Sequence, residues 1–186
     1  LRFLFNHIEE LDQPEFGSYF KDFLEIMAVR YAEGRLFTEE DMLKKYGDIP
    51  VYAFNFVDYI LWKNREELGR KYKGVKFDHF KFAYRRSIEH WFPQHPNSDE
   101  KIEKMDDQFL HSFGNLCIIT DSQNSKFGNL VPSAKYKQWE GIFDRQSLKL
   151  QIMANITEKT KWESYQIKGL EKEILPMVKR FIESKS

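Results

Sequence analysis

The chain has 186 residues, carries 29 basic and 29 acidic side chains and therefore has a formal charge of zero, with 41% hydrophobic residues. That composition fits one ordinary globular domain or a small catalytic unit wrapped in helices, and the balanced charge argues against a strongly basic nucleic-acid binder. Cys117 is the single cysteine, which excludes disulfides within the chain and thiolate zinc sites and points to a reducing, cytoplasmic setting. No apolar run approaches the roughly 18 residues of a membrane span, and the start, Leu1-Arg2-Phe3-Leu4-Phe5-Asn6, is no signal peptide. Without an initiator Met, and beginning inside what reads as a helix, the chain is expected to be a fragment of something longer.

The first third predicts helices. Phe16, Tyr19, Phe20, Phe23, Leu24, Met27 and Tyr31 recur at offsets of three and four, an apolar stripe expected to face a core and to end at Gly34. Thr38 followed by Asp41 resembles an N-terminal cap, with Gly47 as the stop of a short helix. Pro50 then opens a third helix whose Ala53, Phe56, Val57, Ile60 and Leu61 share a face. From about Gly74 the texture changes, and Phe77 to His90 alternates loosely as a half-buried strand would. Pro93 to Glu100, with two prolines, Asn97, Ser98 and Asp99, predicts a loop.

Leu116 to Thr120 is short, apolar and rich in isoleucine, which suits a second strand. Asp121, Ser122 and Asn124 favour turn and cap chemistry, and Pro132 with Ser133 suits the start of a helix through Trp139. In the tail, Ile167, Leu170, Ile174, Leu175, Val178, Phe181 and Ile182 line one helical face, with Pro176 expected to kink or break it.

Chemistry gathers around Glu89-His90-Trp91-Phe92-Pro93-Gln94 and, downstream, Gly114-Asn115-Leu116 and Asn124. Hydrolysis of a phosphodiester needs a base for water, a cation for the developing charge and ligands that leave that cation partly open. Glu89, His90 and Asn124 together could supply all three. Neighbours on a regular strand point to opposite faces, so a functional Glu89-His90 pair requires the strand to end or twist there. Pro93 makes an ending plausible. Uniting Asn124 with the pair then needs a hairpin packed on the following helix.

Glu89-His90-x-x-Pro93-Gln94 resembles the first motif of the HNH, or His-Me finger, nucleases, and Asn115 through Asn124 to Asn129 resembles the second half of such a domain. The resemblance implies that Glu89 and Asn124 hold one divalent cation, magnesium or manganese, that His90 is the general base, and that Asn115 braces the metal loop through backbone hydrogen bonds. More narrowly, Asn55 to Lys63, Tyr84 to Pro96 and Ser112 to Asn129 with Ala134-Lys135 resemble the C-terminal nuclease part of GmrSD-type modification-dependent restriction proteins. That likeness implies a ParB-like nucleotidase domain upstream, modified phage DNA as the target and the bacterial cytoplasm as the location.

The expected fold is α+β and mostly helical: a helical segment over 1–75, a ββα-metal core over 76–142 and C-terminal helices over 143–186. Arg85, Arg86, Lys126 and Lys135 surround the motif and are expected to grip DNA phosphates, although such residues are more often solvated charges. His111 and His79 could touch phosphate or simply face solvent, and His95, five residues after His90, is separated from it by Pro93. A lone histidine is commonly a satisfied core residue. The rival to a metal-dependent DNA endonuclease is a catalytically inactive DNA-binding or regulatory module of the same fold.

Overall fold

In the computed structural model, which describes residues 10–11, 13–37, 43–83, 85–97 and 104–185, the chain is mostly helical around one small antiparallel sheet. Helix α1 spans Phe16–Leu36. Pro50, which fixes its own φ and lacks an N–H, stands in extended conformation directly before α2, Val51–Lys63. Short α3 follows as Arg65–Lys71. Strand β1 is Ser87–His90, α4 is the single turn Asp107–Leu110, and β2 is Leu116–Ile119. Then come α5 (Asp121–Phe127), α6 (Pro132–Trp139), α7 (Leu148–Lys159) and α8 (Ser164–Glu183). Among the described residues, no helix is long and apolar enough to cross a membrane.

The caps have local causes. Asp106 accepts the Gln108 N–H at the start of α4, Ser147 accepts the Leu150 N–H at the start of α7, and Glu163 with Gln166 forms a capping box on α8. Pro132 occupies the first turn of α6, where a missing N–H costs nothing. Gly128, at φ 48°, closes α5.

The strands pair with Glu89 opposite Cys117 and His90 opposite Leu116. Two four-residue strands alone are marginal in water. Here β2 is buried along its whole length, with α2 and α7 packed against it and α5 against β1. The expected face of α2 is buried in full, as are Ile167, Leu170, Ile174, Val178, Phe181 and Ile182 of α8.

Five expectations are corrected. The aromatic stripe of α1 faces largely outward: Tyr19, Leu24, Met27 and Tyr31 are exposed, while Val29, Ala32, Leu36 and the carboxylate of Glu25 turn inward. Glu25 is held there by Lys63 and Lys185, each within 2.8 Å, and by the Tyr59 hydroxyl, so α1 docks through ion pairs and small side chains. Gly34 does not end the helix, which continues to Leu36. The proposed cap at Thr38 and Asp41 lies outside the described residues, and the remainder of that expected helix is not helical: Leu43 bridges to Phe37, and Gly47 turns the chain at φ 97°. Strand β1 covers only the last four residues of the alternating stretch, because β2 offers partners to no more, and Phe77–His79 forms a 3₁₀ turn. Pro176 lies inside α8, which runs on as one helix, so it marks no break between two helices. Its ring is on the solvent side, where the carbonyl it leaves unbonded, four residues back at exposed Lys172, can meet water.

One close approach fixes the segment before β2. The 3₁₀ turn Phe113–Asn115 packs on α8, and a Cβ on Gly114 would run into the Ile167 carbonyl oxygen and come within 2.8 Å of the Ile167 side chain. Since the obstacle is backbone, it cannot step aside. Replacing Gly114 with alanine is therefore expected to destabilise the chain by about 3 kcal/mol or more, the upper end of overpacking costs. Chemical denaturation checks this, and an unchanged midpoint would show that α8 gives way.

Candidate active site

Strand β1 stops at His90 because the next pair, Trp91 with Asn115, is only half made: the Asn115 N–H turns back to the Ser112 carbonyl at 3.0 Å. The Trp91 N–H donates to the Asn115 carbonyl at 2.9 Å, and the Phe92 N–H donates to the Asn115 side-chain oxygen at 2.9 Å. Asn115 is fully buried. Its amide nitrogen donates to the Phe92 and Leu110 carbonyls at 3.0 and 2.9 Å, and its oxygen also accepts from the Trp162 indole at 3.0 Å. Both donors and both lone pairs are thus used, as burial of an amide requires. The side chain ties the end of β1 to the turn that precedes β2.

Glu89 and His90 leave β1 towards different partners. Glu89 meets Lys135 of α6, whose ammonium lies 2.6 Å from Glu89 Oε1 and also donates to the His90 and Trp91 carbonyls at 2.8 and 2.9 Å. Lys135 is completely buried. All three of its N–H donors have acceptors, which compensates for desolvating the charge. Burial pushes the Glu89 carboxyl up and the Lys135 ammonium down, and their mutual attraction opposes both shifts.

His90 lies among Gln94, His111 and Tyr46. Gln94 Nε2 is 3.2 Å from His90 Nδ1, His111 Nδ1 is 3.1 Å from His90 Nε2, and the Tyr46 ring stands edge-on with its centroid 4.5 Å away. Burial, reinforced by the charges available on His111 and Lys135, lowers the pKa of His90 to about 4. It is therefore neutral at neutral pH, the form that can accept a proton.

A cleft of about 320 Å³ joins these groups, lined by Glu89, His90, Gln94, His95, Asn124 and Asn129 together with Tyr46 and Ile88. Asn124 and Asn129 reach it from α5 and the segment just after, both exposed. Among the described residues, no three His, Cys, Asp or Glu side chains are grouped to hold a metal ion. What lines the cleft instead is one carboxylate residue, Glu89, together with the amide residues Gln94, Asn124 and Asn129. Cys117 is buried, its thiol pushed up to about 12 chiefly by burial, and is inert.

A model of the family described as GmrSD restriction endonucleases, C-terminal domain, matches residues 38–176. The chain belongs to that family. No curated protein and no solved structure matches it.

Within this GmrSD C-terminal domain, two of the four cations expected at DNA phosphates point inward. Arg85 is buried and donates to the Arg145 and Ala83 carbonyls at 2.9 and 3.3 Å, and Lys135 is spent on Glu89 and the end of β1. Neither can meet a phosphate, because removing its internal partners would leave a buried charge. Arg86 and Lys126 remain on the surface, Arg86 paired with Asp121 at 2.5 Å and Lys126 over the Trp139 ring at 5.6 Å. His79 is exposed at the end of its 3₁₀ turn. Tyr46 is the residue that sequence reasoning left out of the site, and His111, expected at phosphate or in solvent, is half-buried against His90 instead. The available signal was the position of His111 just four residues before Asn115.

Replacing Lys135 with methionine should leave Glu89 buried without its cation and lower the melting temperature by on the order of 10 °C, from about 3–5 kcal/mol for a broken buried pair. Adding Glu89→Gln should recover part of that loss in thermal melts. A double variant no more stable than the single one would show that the carboxylate is not held by this ion pair.

Proposed function

We propose that this GmrSD C-terminal domain is a divalent-metal-dependent DNA endonuclease domain, hydrolysing phosphodiester bonds as part of a modification-dependent restriction protein. The observation that carries the reading is the single cleft in which a neutral, buried His90 stands beside Glu89 and Asn124. On this reading β1, β2 and α5 are a ββα-metal core. Glu89 and Asn124 are the residues that would hold magnesium or manganese. Their hard oxygen donors suit such an ion, which commonly keeps several waters and takes only one or two carboxylates. When bound, the ion supplies positive charge for the phosphate and the leaving oxygen.

The remaining work falls to the chain's own groups. His90 takes the proton of the attacking water, and Asn115 keeps the strand end rigid behind it. Lys135 fixes the Glu89 carboxylate through one oxygen. Arg86 and Lys126 contact the DNA backbone, which positions a duplex without reading its bases. Selection of modified phage DNA, and its coupling to nucleotide hydrolysis, we assign to a ParB-like nucleotidase domain upstream.

A second reading is favoured by one observation. Glu89 Oε1 already has a cation 2.6 Å away in Lys135, so the same cleft would suit a DNA-docking module without turnover. Plasmid nicking with magnesium or manganese, with a chelator control, separates the two. The His90→Ala variant should cut about 10²–10⁴-fold more slowly while its melting temperature stays close to that of the unmodified chain. An inactive variant that is also unfolded would instead make His90 a core residue.

Removal of Arg86 and Lys126 together should weaken DNA binding about equally across unrelated sequences. The slope of log affinity against log salt should fall by roughly one per lost phosphate contact. Binding measured by fluorescence anisotropy over a salt series checks this, and a loss confined to one sequence or one modification would contradict a purely backbone role.

A further inference from the structure

The proposed base has a second histidine behind it. His111 caps α4 at its C-terminal end, and its carbonyl accepts the Tyr46 N–H at 2.9 Å, so the residue is fixed through its backbone as well as its ring. The two imidazoles stand almost perpendicular, at 85° with centroids 5.2 Å apart, and the nitrogen-to-nitrogen distance is 3.1 Å. Tyr46 flanks both rings, its centroid 4.5 Å from that of His90 and 6.0 Å from that of His111. A neutral imidazole has one donor nitrogen and one acceptor nitrogen. The Gln94 amide nitrogen faces His90 Nδ1, which makes Nδ1 the acceptor, puts the proton on Nε2 and leaves His111 Nδ1 to receive it.

We infer that His111 is the positioning residue of the base: by accepting the Nε2–H of His90 it fixes the ring's tautomer and makes Nδ1, where the exposed Gln94 amide now donates, the nitrogen that takes the proton from water once that amide turns aside. The inference rests on the nuclease reading for its catalytic consequence, but the hydrogen bond itself does not. Fixing a neutral histidine through its second nitrogen is the usual device by which an enzyme aims an imidazole. His111 touches the base, not the substrate.

The test has two arms on the full chain. With ¹⁵N-labelled histidine, long-range ¹H–¹⁵N spectra at a pH where both rings are neutral should show His90 protonated at Nε2 and bare at Nδ1. His111→Ala should turn this into a mixture of tautomers. His111→Asn, which sets an amide oxygen near the lost Nδ1, should restore the single form. In the plasmid assay His111→Ala should lower kcat by roughly 10–100-fold, by analogy with removal of the groups that orient metal-ligating histidines, with KM for DNA unchanged and most of the rate recovered in His111→Asn. A His90 protonated at Nδ1 in the unmodified chain, or an alanine variant with native rate and tautomer, would overturn the assignment. If the unmodified chain cuts no DNA, the nuclease reading fails while the tautomer spectra still decide the His90–His111 bond.

Discussion

The arrangement around the cleft depends on a single buried ammonium. Lys135 spends its three donors on Glu89 Oε1, the His90 carbonyl and the Trp91 carbonyl, so one charge on α6 holds both the last two residues of β1 and the backbone just beyond. A strand end is the part of a ladder most free to fray, because its outer carbonyls have no cross-strand partner. Here those carbonyls point at a full positive charge in a site of low dielectric, where a charge-assisted bond is roughly twice as strong as a neutral one. The same contact anchors Glu89 through one oxygen and fixes the backbone from which His90 projects.

A similar device supports β2. Lys149 of α7 is buried, donates to the Phe113 carbonyl at 2.6 Å and to the Leu116 carbonyl, and its own N–H meets Asp58 of α2 at 3.0 Å. Burial pulls its ammonium down to about 8 and pushes the Asp58 carboxyl up to about 6. With Asn115 between them, these groups bind the end of the sheet where His90 pairs with Leu116 to α2, α6 and α7 and to Trp162 just before α8. So small a sheet buries too little apolar surface to hold register alone, and the polar contacts supply the specificity that area does not.

The buried polar framework also takes cations away from the surface near the motif. Of the four cations clustered around the motif in sequence, Arg85 and Lys135 are structural, and Arg86 shares its charge with Asp121 at 2.5 Å. Of those four, Arg86 and Lys126 alone lie on the surface.

The sequence by itself determined the elements whose signals are local. Pro50 and Pro132 open α2 and α6, the isoleucines of Leu116–Ile119 make a buried strand, and the apolar period of α8 predicts most of its buried face, although Leu175 is only half-buried and Met177, outside the expected set, is buried. It also singled out Glu89, His90, Asn115 and Asn124, because their residue types and spacing carry chemistry. Only the tertiary structure decided which way α1 faces, since periodicity defines a stripe but not what covers it, and Glu25 outweighed the aromatics by finding Lys63, Lys185 and Tyr59. In the same way it decided that Arg85 and Lys135 lie inside and that His111 stands behind His90. A cation can be buried only where acceptors converge on it, and for Lys135 those acceptors lie 44 to 46 residues earlier in the chain, a separation that no local pattern encodes.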